Sequence, residues 1–176
     1  MFKAYSSLRR IEAADLALCL RFNRVSRRPS WRPFFRLVSR LGDGVAWYAL
    51  MVILPLAHGE AALPTVLRMA GAGIAGLLLY KWLKRRTSRP RPCDVYVAIE
   101  AAAPALDRFS FPSGHTLHAF AFGLVAAAGF PALAPLLLGF AVLVAISRPV
   151  LGLHYPSDVL AGAGLGAMLA TIALRI

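Results

Sequence analysis

The chain has 176 residues, enough for one domain, and is 59% hydrophobic with only 16% charged residues, a balance that excludes an ordinary soluble domain. Its formal net charge of +12 would suit nucleic acid, but no motif interleaves basic with base-stacking aromatic residues, so nucleic acid is excluded as a partner. Basic residues beside apolar spans instead contact lipid phosphates and set topology.

The charges are clustered. No Asp, Glu, Lys or Arg falls within Phe109–Ser147, Gly44–Gly59 or Val159–Leu174, and such runs read as membrane-spanning helices. The expected fold is all-α: an integral membrane six-helix bundle forming a single domain over residues 1–176. Residues 8–24 carry Leu8, Ile11, Ala14, Leu18 and Phe22 at helical spacing, so the first helix either lies in the interface or makes a short first span. No cleavage site follows, and no cleaved signal peptide is expected. A second helix is expected from Trp31–Pro33 to about Leu56, interrupted at Gly42-Asp43-Gly44. Gly44–Gly59 alone would span roughly 24 Å at about 1.5 Å per residue, so the preceding residues must contribute.

His58–Pro64 reads as a loop, and a third helix as Thr65 to about Arg86. Its AGAGIAG run allows close packing in lipid. Two prolines in TSRPRPCD then break it, and residues 93–112 form a mixed loop. Helix four is expected from Pro112–Ser113 to about Gly129, helix five to end near Ser147, and helix six to start near Pro156. Helix six carries Gly162 and Gly166 at the small-xxx-small spacing. Cys19 and Cys93 have no metal-type spacing and form no disulfide framework. If the helices alternate in direction, Lys84–Pro92, Pro112–His115 and Ser147–Asp158 meet at one membrane face.

Those three stretches hold the unusual chemistry. Ser147–Asp158 places a hydroxyl, a guanidinium, an imidazole and a carboxylate at the boundary of two apolar spans, where polar groups are costly unless they pair or act. His154 and Asp158 are four apart. On a helix that spacing would let the carboxylate fix the ring's tautomer, leaving the other nitrogen free as nucleophile or base. Arg148 offers a planar fork of donors suited to phosphate. Pro112-Ser113-Gly114-His115 reads as a helix start, with Ser113 as cap and free backbone amides for an anion. Lys84, Arg89 and Arg91 taken alone would be interfacial anchors. Together the stretches match phosphoryl transfer through a phosphohistidine: cations neutralise the equatorial oxygens, one imidazole attacks and another protonates the leaving oxygen.

The pattern resembles the type 2 phosphatidic acid phosphatase superfamily of membrane lipid phosphatases. Its signature is Lys, six residues, Arg-Pro; then Pro-Ser-Gly-His; then Ser-Arg, five residues, His, three residues, Asp. Lys84 with Arg91-Pro92, Pro112 to His115, and Ser147-Arg148 with His154 and Asp158 meet every fixed position. The resemblance implies His154 as nucleophile, Asp158 as its orienter and His115 as general acid. It implies Lys84, Arg91, Arg148, Ser113 and the Gly114 amide as phosphate-binding groups, with no metal and no cofactor. His118 is left as a helix-face residue and His58 as loop, and Arg68, Arg85, Arg86 and Arg89 as lipid or topology contacts.

The expected function is therefore metal-independent dephosphorylation of a membrane lipid phosphate or diphosphate. Undecaprenyl diphosphate, phosphatidylglycerophosphate, phosphatidic acid and lipid A phosphates are all candidates, because the motifs touch only the phosphate. Soluble acid phosphatases and vanadate haloperoxidases share the site chemistry but not the apolar spans. A non-catalytic lipid-phosphate-binding or lipid-moving membrane protein is the alternative from another class. The partners expected are the lipid phosphate substrate and membrane lipids. The resemblance implies a bacterial cytoplasmic (inner) membrane protein with its site facing the periplasm. The positive-inside rule pulls the other way, since Arg27, Arg28, Arg85, Arg86 and Arg89 gather on the motif-bearing face.

Overall fold

A computed structural model describes residues 2–105 and 107–176, with side chains from Glu12 onward. The described residues fold as helices: α1 (Phe2–Ser26), α2 (Trp31–Arg40), α3 (Ala46–His58), α4 (Leu63–Thr87), the single turn α5 (Pro92–Val95), α6 (Gly114–Gly129), α7 (Ala134–Val150) and α8 (Pro156–Ala173). Short 3₁₀ turns at Gly59–Ala62 and Pro131–Leu133 lead into α4 and α7. Three helical stretches, within Trp31–Val95, Pro131–Val150 and Pro156–Ala173, are long and apolar enough to cross a membrane.

The centre of the fold is α6, which packs chiefly against α8, α7 and α4. Its sequence carries no Asp, Glu, Lys or Arg, so every side can be enclosed without stranding a charge. Leu117, Ala119, Ala121, Val125 and Ala126 are fully buried, and Phe122 packs with Trp47 of α3. Glycine lets α8 come this close. A Cβ at Gly162 would stand 2.6 Å from the Ser113 carbonyl oxygen, and one at Gly166 would strike the Leu117 carbonyl oxygen. The expected close packing is thus made by these two glycines, while Gly164 between them faces open space.

Several boundaries differ from expectation. The stretch expected as a loop at His58–Pro64 is mostly helical: His58 ends α3 and packs on the Phe130 ring at 4.8 Å. Pro64 sits inside the first turn of α4, where its missing N–H costs nothing. Helix α7 runs past Ser147 to Val150, so Arg148 is carried on a helix end. The inward face of α1 is not the apolar stripe. Leu18 is exposed, while Asp15, Cys19, Asn23 and Ser26 are buried; Leu8 and Ile11 lie outside the described side chains. Asp15 accepts from the Ser157 amide, the Cys19 thiol donates to the His154 carbonyl, and Asn23 donates to the Val150 and Glu100 carbonyls. Helix α1 therefore runs along the link between α7 and α8.

Gly166→Val should cost at least about 1–3 kcal/mol, because a branched side chain has only α6 backbone to displace. Gly164→Ala should be neutral or slightly stabilising. Thermal unfolding of both variants in detergent checks this, and a wild-type midpoint for Gly166→Val would contradict the close α6–α8 approach.

Candidate active site

Four element ends converge, as helix alternation requires. Lys84 lies in the last turn of α4, Arg91 just ahead of α5, Gly114 and His115 open α6, Arg148 lies near the end of α7, and His154 sits in the link to α8. These six line one cavity of about 370 Å³, together with Asp43, Tyr80 and Asp107. Asp158 and Ser113 stand outside the lining.

The cations are held dry. Lys84, Arg91 and Arg148 are each at least nine-tenths buried. Lys84 Nζ donates to both carboxylate oxygens of Asp107 at 2.7 and 2.6 Å and to the Phe109 carbonyl at 3.0 Å. The Arg91 guanidinium donates to Asp107 Oδ1 at 2.7 Å and to the Leu153 carbonyl at 2.7 Å. One carboxylate thus bridges two of the expected phosphate-binding cations, and an anion that takes both must displace it. Burial opposes the charge on Asp107, but the hydrogen bonds and charges of Lys84 and Arg91 outweigh it and hold its pKa below the ordinary value. Arg148 donates to Ser39 Oγ, while its buried Nε has no partner. A buried unpaired guanidinium donor is costly unless an anion completes it.

His154 is not on a helix, which corrects the sequence reading of its spacing to Asp158. The ring precedes α8, and Asp158 is the third residue of that helix. Asp158 accepts from the Tyr155 amide at 2.9 Å, so it caps the helix start. Its Oδ2 lies 3.7 Å from His154 Nδ1, beyond hydrogen-bond distance. The other ring nitrogen, Nε2, is 3.3 Å from Arg91 Nη1. A guanidinium can only donate, so Nε2 accepts, and the neutral ring carries its proton on Nδ1, facing Asp158. Burial, reinforced by the charges of Arg148, Arg91 and Lys84, holds the ring's pKa well below the ordinary histidine value. The imidazole is neutral at pH 7 with its Nε2 lone pair turned to the cations.

His115 Nε2 lies 3.2 Å from Asp43 Oδ1, a partner from the break between α2 and α3. Ser113 precedes α6 but does not cap it: its hydroxyl pairs with Thr116 Oγ1 at 2.9 Å. His118 is a helix-face residue as expected, with its ring nitrogens 3.1 Å from the Gly114 carbonyl and 3.2 Å from that of Gly73. Arg89, expected to face lipid, is instead built in. It donates to Asp158 Oδ1 at 2.7 Å, Asp15 Oδ2 at 2.8 Å and Ser157 Oγ at 2.8 Å, and covers the Tyr155 ring at 4.0 Å.

Residues 65–176 match the model of the PAP2 superfamily. The chain belongs to that superfamily. Among relatives of known activity, it is 33% identical over 151 residues to decaprenylphosphoryl-5-phosphoribose phosphatase of Mycobacterium tuberculosis, covering 82% of this chain and 80% of that protein. It is 36% identical over 94 residues to lipid A 1-phosphatase of Rhizobium johnstonii, 51% of this chain and 38% of that one. The fold superposes on the crystal structure of Aquifex aeolicus LpxE with TM-score 0.75 at 27% identity, covering 92% and 94% of the two chains. It also superposes on a transmembrane PAP2-type phosphatidylglycerolphosphate phosphatase from Bacillus subtilis, with TM-score 0.77 at 27% identity, covering 94% and 85%. This PAP2 chain is a phosphatase and a membrane protein.

Three carboxylates around the site had no motif to announce them. Asp15 and Asp107 are single acids in mixed segments and look like solvated charges. Asp43 did carry a signal, an acid between two glycines inside an otherwise apolar helix.

Because the ring of His154 resists protonation, the acid limb of kcat/KM should lie well below pH 6.5, the ordinary histidine value. A lowered pKa keeps the ring neutral to lower pH, which moves that limb down. An acid limb at 6.5 or above would contradict the desolvated ring.

Proposed function

We propose that this PAP2 protein removes phosphate from a membrane lipid without a metal, through a phosphohistidine on His154. One observation carries the reading: a dry, neutral imidazole directs its Nε2 lone pair at a buried guanidinium in a cavity whose basic lining includes the buried Lys84, Arg91 and Arg148. A phosphoryl group drawn to Lys84, Arg91 and the free Nε of Arg148 would displace Asp107 and present phosphorus to Nε2. Fixed cations in a water-poor site stabilise the charge spread over the equatorial oxygens. Gly114 opens α6 at the cavity wall, where its free amide adds a donor, as does Ser113 if its hydroxyl leaves Thr116.

The N–P bond forms as the P–O bond to the lipid alcohol breaks, and His115 hands its proton to the departing oxygen. Water then attacks the phosphohistidine, returning a proton to His115 and releasing inorganic phosphate. Asp158, fixed by Arg89 and the Tyr155 amide, stabilises the ring cation formed on the way.

The substrate is a lipid phosphate or diphosphate: a polyprenyl phosphate derivative, undecaprenyl diphosphate, phosphatidylglycerophosphate, phosphatidic acid or a lipid A phosphate. Relatives named for three unlike headgroups support recognition of the phosphate rather than of the lipid. We place residues 1–176 as one membrane-embedded domain, a six-helix bundle in the bacterial inner membrane with its site at the periplasmic face. Helix α1, which borders the link between α7 and α8, lies in the interface.

Purified protein should release phosphate from at least one lipid in such a panel, in EDTA as in buffer, with vanadate as an inhibitor. Vanadate adopts the five-coordinate geometry of the transition state and would bind the same cations. Loss of activity in EDTA with recovery in Mg²⁺ would contradict the mechanism, and silence across the panel would contradict the substrate class.

A further inference from the structure

Asp43 is an expensive residue with no role in the mechanism so far. It interrupts the apolar stretch from α2 to α3, where an ionisable group is rarely kept without function. Its backbone leaves the helix, at φ −79° and ψ 20°, and Gly44 follows at φ 120°, a conformation that favours glycine. A Cβ at Gly44 would lie 2.6 Å from the Tyr48 ring, and one at Gly42 would lie 2.5 Å from Val144 of α7. Gly42 thus lets the segment pack close to α7, and the helix break at Asp43-Gly44 turns one carboxylate into the cavity. There it meets His115 Nε2 at 3.2 Å, its side chain 43% exposed where the ring is only 11% exposed.

Charge bookkeeping around His115 shows what this pairing supplies. A general acid must hold a proton in the enzyme–substrate complex. The ring is faced by Lys84 from α4, Arg148 from α7, His154 from the α7–α8 link and His118 from its own helix, with Lys81, Arg85 and Arg91 also lining the cavity. None of these is anionic; burial of the ring opposes a second positive charge, and the cations, Arg148 foremost, add to that. Before substrate binds, Asp107 is committed to Lys84 and Arg91, whereas Asp158 is held by Arg89 and the Tyr155 amide. Among the described residues, Asp43 is the carboxylate placed against His115.

We propose that Asp43 is a positioning residue for the general acid: it holds the His115 ring toward the leaving oxygen and sets a negative charge against the ring, which favours its protonated form amid the cations. This rests on the reading of His115 as the proton donor. The substituted-phosphate half of the reaction does not need Asp43; protonation of a poor leaving group does.

The test compares Asp43→Asn, Asp43→Glu and His115→Ala on a lipid phosphate and on p-nitrophenyl phosphate, whose leaving group scarcely needs a proton. Asp43→Asn should lower kcat/KM for the lipid substrate by about tenfold or more and leave p-nitrophenyl phosphate within about threefold, as general acid catalysis is worth about 10²–10⁴-fold in all. The alkaline limb of its lipid pH profile should move to lower pH by about one unit or more, since a lost carboxylate neighbour lowers the ring's pKa. Asp43→Glu should recover part of both effects. Vanadate inhibition should persist in Asp43→Asn, because the phosphate cations are untouched. Equal losses on both substrates, or loss of vanadate inhibition, would make Asp43 a structural residue and overturn the proposal. An unmoved alkaline limb would also overturn it. If His115→Ala itself fails to discriminate between the substrates, the general-acid reading falls instead.

Discussion

Lys84, Arg91 and Arg148 are gathered at the end of a helical bundle, each nearly shut off from water, and the site's structure follows from that concentration of positive charge. Like charges in a low-dielectric cavity repel strongly and are tolerated only where anions or fixed dipoles answer them. The protein answers with Asp107, which bridges two of the cations, and leaves the Arg148 Nε unanswered. Burial, reinforced by the same field, holds His154 neutral. In the proposed mechanism a phosphoryl group, with two negative charges and three equatorial oxygens, is the ligand that answers these cations.

Around that centre lies a ring of carboxylates. Asp158 is fixed by a helix cap and by Arg89, and Arg89 in turn is fixed by Asp15 of α1. The chain from α1 to the His154 link therefore runs through buried or half-buried ion pairs, which are strongly destabilising to break from one side. Asp43 lies in the corresponding place beside His115. Each histidine is backed by an acid, but the two acids come from opposite parts of the sequence and different kinds of backbone, a helix cap and a helix break.

Much of the site was legible because its spacing is carried by short segments at helix ends. Lys84, Arg91, Gly114, His115, Arg148 and His154 share one cavity, as alternating helices demanded. Asp158 was legible as a residue but not in its geometry: four-residue spacing suggested a helical pair, whereas His154 lies before α8 and the carboxylate is engaged by the helix start. Arg89 and Asp15 were illegible because their pairing joins residues 74 positions apart, and a lone basic residue at a membrane boundary looks like an anchor. The apolar stripe on α1 does not tell which residues pack inward. Burial there follows polar partners rather than hydrophobicity, so Asn23 turns inward and Leu18 outward. The packing glycines were legible as runs, but which members touch α6 depends on helix phase.

The central claim is that the phosphoryl group passes through His154. Wild-type protein mixed with a radiolabelled lipid phosphate and quenched within one turnover in alkaline denaturant should carry a base-stable, acid-labile label. Peptide mapping by mass spectrometry should assign that label to His154 and find none in His154→Ala. A label on another residue, or none in a quench shown to catch the enzyme mid-turnover, would contradict the account.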